Sequence, residues 1–197
     1  TGFGSLQELI ASLKIDSGEK LQCQVVEAMT THETSFFRDG HPFDTLKATV
    51  LPELIARRSP SPSLAIWCAA CSSGQEPFSV AMIARDHFPN LLQGRLRIFA
   101  TDLSGVVLER ARAGLYSQIE INRGLPAALL ARYFDKQGLH WRLKSEIRRM
   151  VDFRRVFTRT LKLVKVVYRE ARFSFDGQGM RVHNSPPPVA RRLVQIK

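Results

Sequence analysis

Residues 64–77 read Leu-Ala-Ile-Trp-Cys-Ala-Ala-Cys-Ser-Ser-Gly-Gln-Glu-Pro, and this stretch decides the fold class. Its apolar first half predicts a buried strand, and the small residues up to Gly74 predict a tight turn. Glu76-Pro77 then opens a helix, since proline in the first turn gives up no paired N–H. Open α/β folds bind ligands at such turns, at the carboxyl ends of strands. The stretch lacks the G-x-G-x-x-G fingerprint, so a cofactor site and a plain strand–turn–helix both remain open at this point.

A second strand and helix follow at the spacing of a βαβ unit. Residues 96–101 form the second predicted strand, which ends in Asp102, and Ser104 is placed to cap the next helix. The right-handed crossover between the strands makes them parallel. An acid at the second strand tip can accept hydrogen bonds from both hydroxyls of a ribose bound over the first turn. Asp102 can equally serve as a helix cap.

Helical patterns precede the first strand. Residues 5–13 and 20–29 carry apolar side chains at helical spacing, and Asp44 is predicted to cap a third helix that Pro52 divides or kinks. Between them, residues 30–39 are polar and end in two aromatic residues and a charge. We predict a loop there, whose aromatic pair acts as a hydrophobic plug.

The later part of the chain is mixed. Residues 126–134 have a helical pattern, and residues 140–144 are predicted to form a small hairpin with residues 150–155. Residues 172–183 have the pattern of a second hairpin around Asp176-Gly-Gln-Gly.

Composition bounds the class of protein. The chain has 197 residues and 44% apolar content, which suits one domain, or one with a small appendage, around a real core. No apolar run approaches the roughly 18 residues of a membrane span, and the N-terminal residues lack a signal-peptide pattern. We therefore expect a cytoplasmic protein without stable membrane insertion.

Cysteine and charge patterns point away from metal or disulfide chemistry. Cys23, Cys68 and Cys71 are an odd number, and no second Cys/His pair completes a zinc set with Cys68-x-x-Cys71, so we predict small buried residues and no metal. The net charge of +11 is uneven: residues 151–197 hold 11 basic and 3 acidic residues, a net +8. The rest of the chain is nearly balanced, which does not favour nucleic acid as its partner.

Four motifs stand in register along the chain. They are Thr-Thr-His-Glu-Thr-Ser-Phe-Phe-Arg-Asp at 30–39, Ala-Ala-Cys-Ser-Ser-Gly-Gln-Glu-Pro-Phe-Ser at 69–79, Phe-Ala-Thr-Asp-Leu at 99–103 and Ala-Arg-Ala-Gly-Leu-Tyr at 111–116. In order and spacing they resemble the CheR-type chemotaxis-receptor glutamate O-methyltransferases over about residues 21–156. The resemblance implies a Rossmann-like α/β fold that binds S-adenosylmethionine (SAM) and releases S-adenosylhomocysteine. It also implies a domain division: residues 1–29 are a remnant helical domain, 30–157 the SAM-binding domain with a small β-subdomain around 133–155, and 158–197 an atypical basic segment.

The resemblance also implies roles for individual residues. Cofactor contacts carry over onto Thr34, Arg38, Glu76 and Asp102, with Gly74 in the turn between them, and His32 stands where the family often has asparagine. Asp102 is implied to hold the ribose, Glu76 to lie by the methionine portion, and Arg38 to lie near the sulfonium and the acceptor as the catalytic residue. The implied partner is the cytoplasmic domain of a chemoreceptor, a methyl-accepting chemotaxis protein. In members that use one, the region around 133–155 is implied to dock a receptor tether.

The resemblance stops after Val156. The family's asparagine–leucine pair and following strands have no counterpart, which predicts an incomplete sheet, a poorly covered apolar face on residues 64–70, and weak or absent SAM affinity. The same expectation includes a loss of activity in this chain. The alternative is a non-catalytic module whose basic segment binds nucleic acid or another polyanion.

Overall fold

A computed structural model gives the fold. It describes residues 2–15, 19–56, 64–93 and 96–156, together with short strand segments at 165–166, 172–176, 179–183 and 194–195. The chain divides into two compact units, residues 1–32 and residues 33–197. None of the helices formed by the described residues is long and apolar enough to cross a membrane.

The first unit contains two helices, α1 (Leu6–Ile15) and α2 (Glu19–Met29). Both confirm the helical patterns read from the sequence. In chain order the second unit contains α3 (His41–Thr45), a π-helical turn (Leu46–Val50), α4 (Leu51–Ala56), β1 (Leu64–Ala69), α5 (Gln75–His87), a 3-10 helix (Pro89–Leu92), β2 (Leu96–Asp102), α6 (Gly105–Ala113), β3 (Leu115–Ser117), α7 (Gln118–Asn122), α8 (Ala127–Tyr133), β4 (Phe134–Gln137), β5 (His140–Leu143), α9 (Ser145–Arg148), β6 (Val151–Arg155), β7 (Lys165–Val166), β8 (Arg172–Asp176), β9 (Gly179–His183) and β10 (Val194–Gln195).

The helical run from α3 to α4 begins earlier than predicted. Gly40 is its N-cap and no side chain caps it, so the prediction that Asp44 caps this helix is wrong; Asp44 lies in the first turn, where a carboxylate complements the helix dipole. The π-helical turn precedes Pro52, and Leu51 N–H donates to the Leu46 carbonyl. Because proline has no N–H, this wider turn carries the chain past it without ending the helix.

The central sheet has three parallel strands in the order β1-β2-β6. Leu64 pairs with Leu96 and Cys68 with Ala100, so the βαβ unit predicted from the sequence is confirmed. One sheet face carries the core, against which α5 contributes Phe78, whose ring lies 5.4 Å from that of Phe153 in an edge-to-face contact. Strand order and direction place the tips of β1 and β2 at one edge of the sheet.

The apolar face of β1 is well covered. Leu64, Ile66 and Cys68 are 3%, 0% and 4% exposed, whereas Ala65 and Trp67 on the opposite face are half-buried. The expectation of a poorly covered apolar face is therefore wrong for the core side of this strand, since these three side chains belong to the buried hydrophobic core.

A second, antiparallel sheet has the order β3-β5-β4. The hairpin predicted between residues 140–144 and 150–155 is wrong, because β5 pairs with β4 across a tight turn at Gly138, whose φ is +60°, and β6 joins the central sheet. The β8–β9 hairpin is confirmed, and its turn residues 177–178 lie outside the described residues. So does most of the predicted basic segment 158–197.

Candidate functional site

The loop between β1 and α5 is held in a strained conformation at the carboxyl edge of the sheet. Ala70, Ser72 and Gly74 have φ values of +53°, +48° and +90°. Non-glycine residues adopt positive φ only where the surroundings hold them, and such strain clusters at ligand sites. The tip of β2 helps to hold this loop, because Cys71 N–H donates to the Thr101 carbonyl at 3.0 Å.

Asp102 anchors this loop with its carboxylate. Oδ2 accepts from Ser72 N–H at 2.8 Å and Oδ1 accepts from Ser104 N–H at 3.0 Å, while only 7% of the residue is exposed. Ser104 in turn caps α6, because its Oγ accepts from Val107 N–H at 3.4 Å. The helix-cap prediction for Ser104 is confirmed. Each carboxylate oxygen keeps a further lone pair, so Asp102 can hold the loop and still accept a hydrogen bond from a ribose hydroxyl.

A second loop, residues 33–40, is attached to α5. Phe36 is fully buried, with its ring 5.0 Å from that of Tyr116 in an edge-to-face contact, which confirms the plug predicted for this residue. Phe37 N–H donates to Ser79 Oγ at 3.0 Å, and Ser79 Oγ–H donates to the Gln75 carbonyl at 2.8 Å. The loop is thereby bonded to the first turns of α5, beside the strained loop 70–74.

Arg38 on loop 33–40 and Glu76 in the first turn of α5 act on one another through their charges. Arg38 is exposed, and its Nη1 donates to the Glu33 carbonyl at 3.1 Å. Burial raises the pKa of Glu76, the nearby Arg38 guanidinium lowers it, and the Asp39 carboxylate raises it further. The structure therefore brings Arg38 and Glu76, two predicted site residues from separate motifs, within electrostatic reach.

Thr34 carries a polar atom without a partner. Its Oγ1 is buried and makes no hydrogen bond within the part of the chain that the structure describes. A buried hydroxyl without a partner costs about 1–3 kcal/mol by mutational data, so natural proteins keep few of them. The donor and acceptor of Thr34 are left available to a bound molecule.

The comparisons with known proteins identify the family. Residues 32–163 match the family described as "CheR methyltransferase, SAM binding domain", which is more than half of the chain.

The chain belongs to the CheR methyltransferase family.

Two Pseudomonas proteins illustrate the similarity. The chain is 46% identical over 158 residues to chemotaxis protein methyltransferase Cher2 of Pseudomonas putida, covering 78% of this chain and 57% of that protein. It is 48% identical over the same length, with the same coverage, to chemotaxis protein methyltransferase 1 of Pseudomonas aeruginosa. The chain thus spans a little over half the length of the curated relatives that it matches.

The CheR match supports SAM as the cofactor, and the residues present fit it. SAM is a cation with a carboxylate, an ammonium and a ribose, so its site needs donors, acceptors and acids close together. Loop 33–40 offers the unpartnered Thr34 hydroxyl, the first turn of α5 offers the half-buried Glu76 carboxylate, and the tip of β2 offers the Asp102 carboxylate.

The remaining predicted cofactor contacts are Gly74 and His32. An added Cβ at Gly74 would lie 2.9 Å from Ala111 Cβ and 3.2 Å from Phe153 Cζ, so its missing side chain serves packing, and a cofactor would meet only its backbone. His32 belongs to the first unit and is exposed. Both contacts stay predictions.

Sequence reasoning missed two residues that shape the site. Tyr116 O–H donates to the Ser73 carbonyl at 2.8 Å, and Ser79 joins the two loops as described above. Both lie in motifs quoted from the sequence. Their partners are more than 40 residues away along the chain, so no local pattern signals the contact.

The Cys68-x-x-Cys71 pair is a pair of free, buried thiols. Both thiols are buried, which confirms the prediction of small buried residues. Burial, then the charge of Glu76, raises the pKa of Cys68 to about 12, and burial raises that of Cys71, so neither is a thiolate at neutral pH. Among the described residues, no group of three His, Cys, Asp or Glu is placed to hold a metal ion.

Proposed function

We propose that this chain belongs to a cytoplasmic, SAM-dependent methyltransferase that converts glutamate carboxylates of a chemoreceptor's cytoplasmic domain to methyl esters. The relatives named above are chemotaxis protein methyltransferases, which supports the reaction class. The observation that carries the proposal is the unpartnered, buried Thr34 hydroxyl inside the family-matched region, four residues before Arg38 on the same loop.

The reaction makes modest demands on the protein. A glutamate side chain is already ionised at neutral pH, so no general base is needed. SAM, when bound, supplies a methyl group activated by its sulfonium. The protein must therefore bind and orient the carboxylate and exclude water.

Arg38 suits the orienting role. A guanidinium presents several N–H donors in a planar fork that matches a carboxylate, and only Nη1 of Arg38 has a protein partner within the described residues. Its exposure leaves it accessible to a macromolecular substrate. We assign Arg38 to acceptor binding, Glu76 to the methionine portion of SAM, and Asp102 to the ribose.

The alternative of a polyanion-binding module has no support from the comparisons, which name only methyltransferases among the relatives above. It depends on the segment 158–197, most of which lies outside the described residues.

Methyl transfer from labelled SAM to purified receptor cytoplasmic domains tests the proposal. Arg38→Ala should reduce incorporation, because the acceptor loses its guanidinium partner. Arg97→Ala is the matched control, since Arg97 is also exposed but lies at the amino end of β2, away from the strand tips and outside residues 133–155. Base-labile methyl groups on glutamate are the expected product. Incorporation that is equal in both variants would contradict the assignment of Arg38.

Thr34→Val separates cofactor binding from stability. The substitution keeps the shape and removes a hydroxyl that has no protein partner, so stability should stay equal or rise by about 1 kcal/mol. Affinity for S-adenosylhomocysteine should fall. Thr101→Val is the contrast: Thr101 Oγ1 accepts from Trp67 Nε1 at 3.0 Å, so its loss should destabilise the fold. A Thr34→Val protein that is less stable but binds normally would refute the role of Thr34.

A further inference from the structure

We infer that Arg123 and Gly124, in the turn after α7, are positioning residues for the loop that carries Thr34 and Arg38. Neither belongs to the motifs that define the resemblance, and the comparisons assign no role to either. The inference deepens the proposed function and rests on it for its consequence in methyl transfer. Its structural part stands independently, on contacts between residues 33–37 and the 123–124 turn.

Gly124 lies against the backbone in the middle of the loop. Its φ is +92°, and an added Cβ would lie 2.0 Å from the Phe36 carbonyl oxygen and 3.2 Å from the carbonyl carbon. Cβ atoms do not approach a backbone oxygen at such a distance, so any side chain here must displace the carbonyl or the turn. Phe36 stands two residues after Thr34 and two before Arg38, and a shift of its carbonyl therefore moves both.

Arg123 holds the start of the same loop. Its Nη2 lies 3.1 Å from Glu33 Oε1, with the side chains 56% and 59% exposed. Pairs so exposed contribute little to stability because water screens them. The backbone carbonyl of Glu33, however, accepts from Arg38 Nη1. The Arg123–Glu33 pair thus fixes Glu33, whose carbonyl holds the Arg38 guanidinium. This is a positioning role.

The loop needs such external contacts. Phe37 and Asp39 have φ values of +47° and +61°, a conformation that side chains other than glycine rarely adopt. Ser79 holds the loop from α5 through the Phe37 N–H, and the 123–124 turn holds it at Glu33 and Phe36. Removing one of these two supports should loosen the other.

Hydrogen exchange of the Phe37 amide tests the contact without cofactor or substrate. Gly124→Ala should speed exchange of this amide roughly tenfold, because displacement of Phe36 weakens the bond to Ser79. Gly138→Ala is the matched control: its φ is +60° and nothing lies within 4 Å of an added Cβ. The control should leave the Phe37 amide unchanged. Equal exchange in Gly124→Ala and wild type would overturn the inference.

A double-mutant cycle tests the consequence for binding. Gly124→Ala should weaken S-adenosylhomocysteine binding in the wild-type background and have little further effect in a Thr34→Val background, since both act through one hydroxyl. A merely structural role predicts the same loss in both backgrounds, and that result would overturn the positioning role. NMR titration is suited to the measurement, because it reports weak affinities as well as strong ones.

Charge exchange tests Arg123. Arg123→Glu should reduce kcat/KM for the receptor domain without lowering the melting temperature, and Glu33→Arg added to it should restore activity by rebuilding the pair. Activity that stays low in the double variant would count against the pair. A wild-type protein without any methyl transfer would refute the proposed function, whereas the exchange and affinity measurements would still decide the positioning role.

Discussion

Asp102→Asn is the most informative single substitution at the sheet edge. The resemblance gives Asp102 a ligand role, and the structure gives it a second role, because its two oxygens accept from the backbone N–H groups of Ser72 and Ser104 at 2.8 and 3.0 Å. Asparagine has nearly the same shape but only one acceptor oxygen, and its NH₂ group would face one of these donors. The substitution therefore tests the anchor without creating a cavity.

The expected loss follows from those two bonds. A hydrogen bond to a charged group contributes about 1.5–3 kcal/mol, and a buried N–H left without an acceptor adds a desolvation cost of about 1–3 kcal/mol. Losing one bond and weakening the other should cost about 2–5 kcal/mol of the free energy of unfolding. That is a large share of the roughly 5–15 kcal/mol typical of a domain.

Urea denaturation of the ligand-free protein measures this loss. Tryptophan fluorescence is a suitable probe, since the Trp67 indole donates to Thr101, next to Asp102. Asp135→Asn is the control, because the Asp135 side chain is 63% exposed and lies 4.0 Å from its Lys144 partner. The control should change stability by less than about 0.5 kcal/mol. Equal stability of the two variants would refute the anchoring role and leave only the proposed ligand contact for Asp102.

Three further predictions concern the residues around this anchor. Gly74→Ala should destabilise the protein by about 2–4 kcal/mol, through the strain of its φ of +90° and overlap with the core, whereas Gly138→Ala should show the strain cost alone in the same urea assay. Burial raises the pKa of Glu76, so the native state binds more protons than the unfolded state between the ordinary and the raised value; stability should fall as pH rises through that window. Glu76→Gln should remove this loss and be more stable than wild type at neutral pH, and a parallel pH profile of the two proteins would contradict the argument. Tyr116→Phe should cost about 1–2 kcal/mol, because it leaves the Ser73 carbonyl without its buried donor, and calorimetry showing no loss would argue against that bond.

Local patterns predicted much of the fold. Apolar periodicity located α1, α2, β1, β2 and α8, and Ser104 signalled its own helix start. Alternation also marked β6 as a strand but could not choose its partner, because Val151 and Phe153 face inward in a hairpin and in a parallel sheet alike. Pairing is a long-range property, and the turn glycine at 138 was the local signal that the hairpin prediction overlooked.

The sequence predicted which residues belong to the candidate site better than it predicted their contacts. Motif resemblance named Thr34, Arg38 and Glu76, and the structure places Arg38 and Glu76 within electrostatic reach. The resemblance could not indicate that the Asp102 carboxylate accepts hydrogen bonds from backbone N–H groups. Nor could it indicate that Gly124 lies against Phe36, 88 residues earlier in the chain. Contacts of this kind depend on which loops the fold brings together, and no spacing in the sequence encodes them.

A titration of the labelled protein with S-adenosylhomocysteine, followed by backbone amide NMR, tests the central claim most directly. If the two loops, the first turn of α5 and the tip of β2 form the cofactor site, shifts should concentrate in residues 33–40, 70–76 and 102–104, even where affinity is weak. Thr34→Val should reduce these shifts at equal ligand concentration while its unfolding midpoint stays at or above that of wild type. No shifts at millimolar ligand, or shifts confined to other parts of the chain, would contradict the claim.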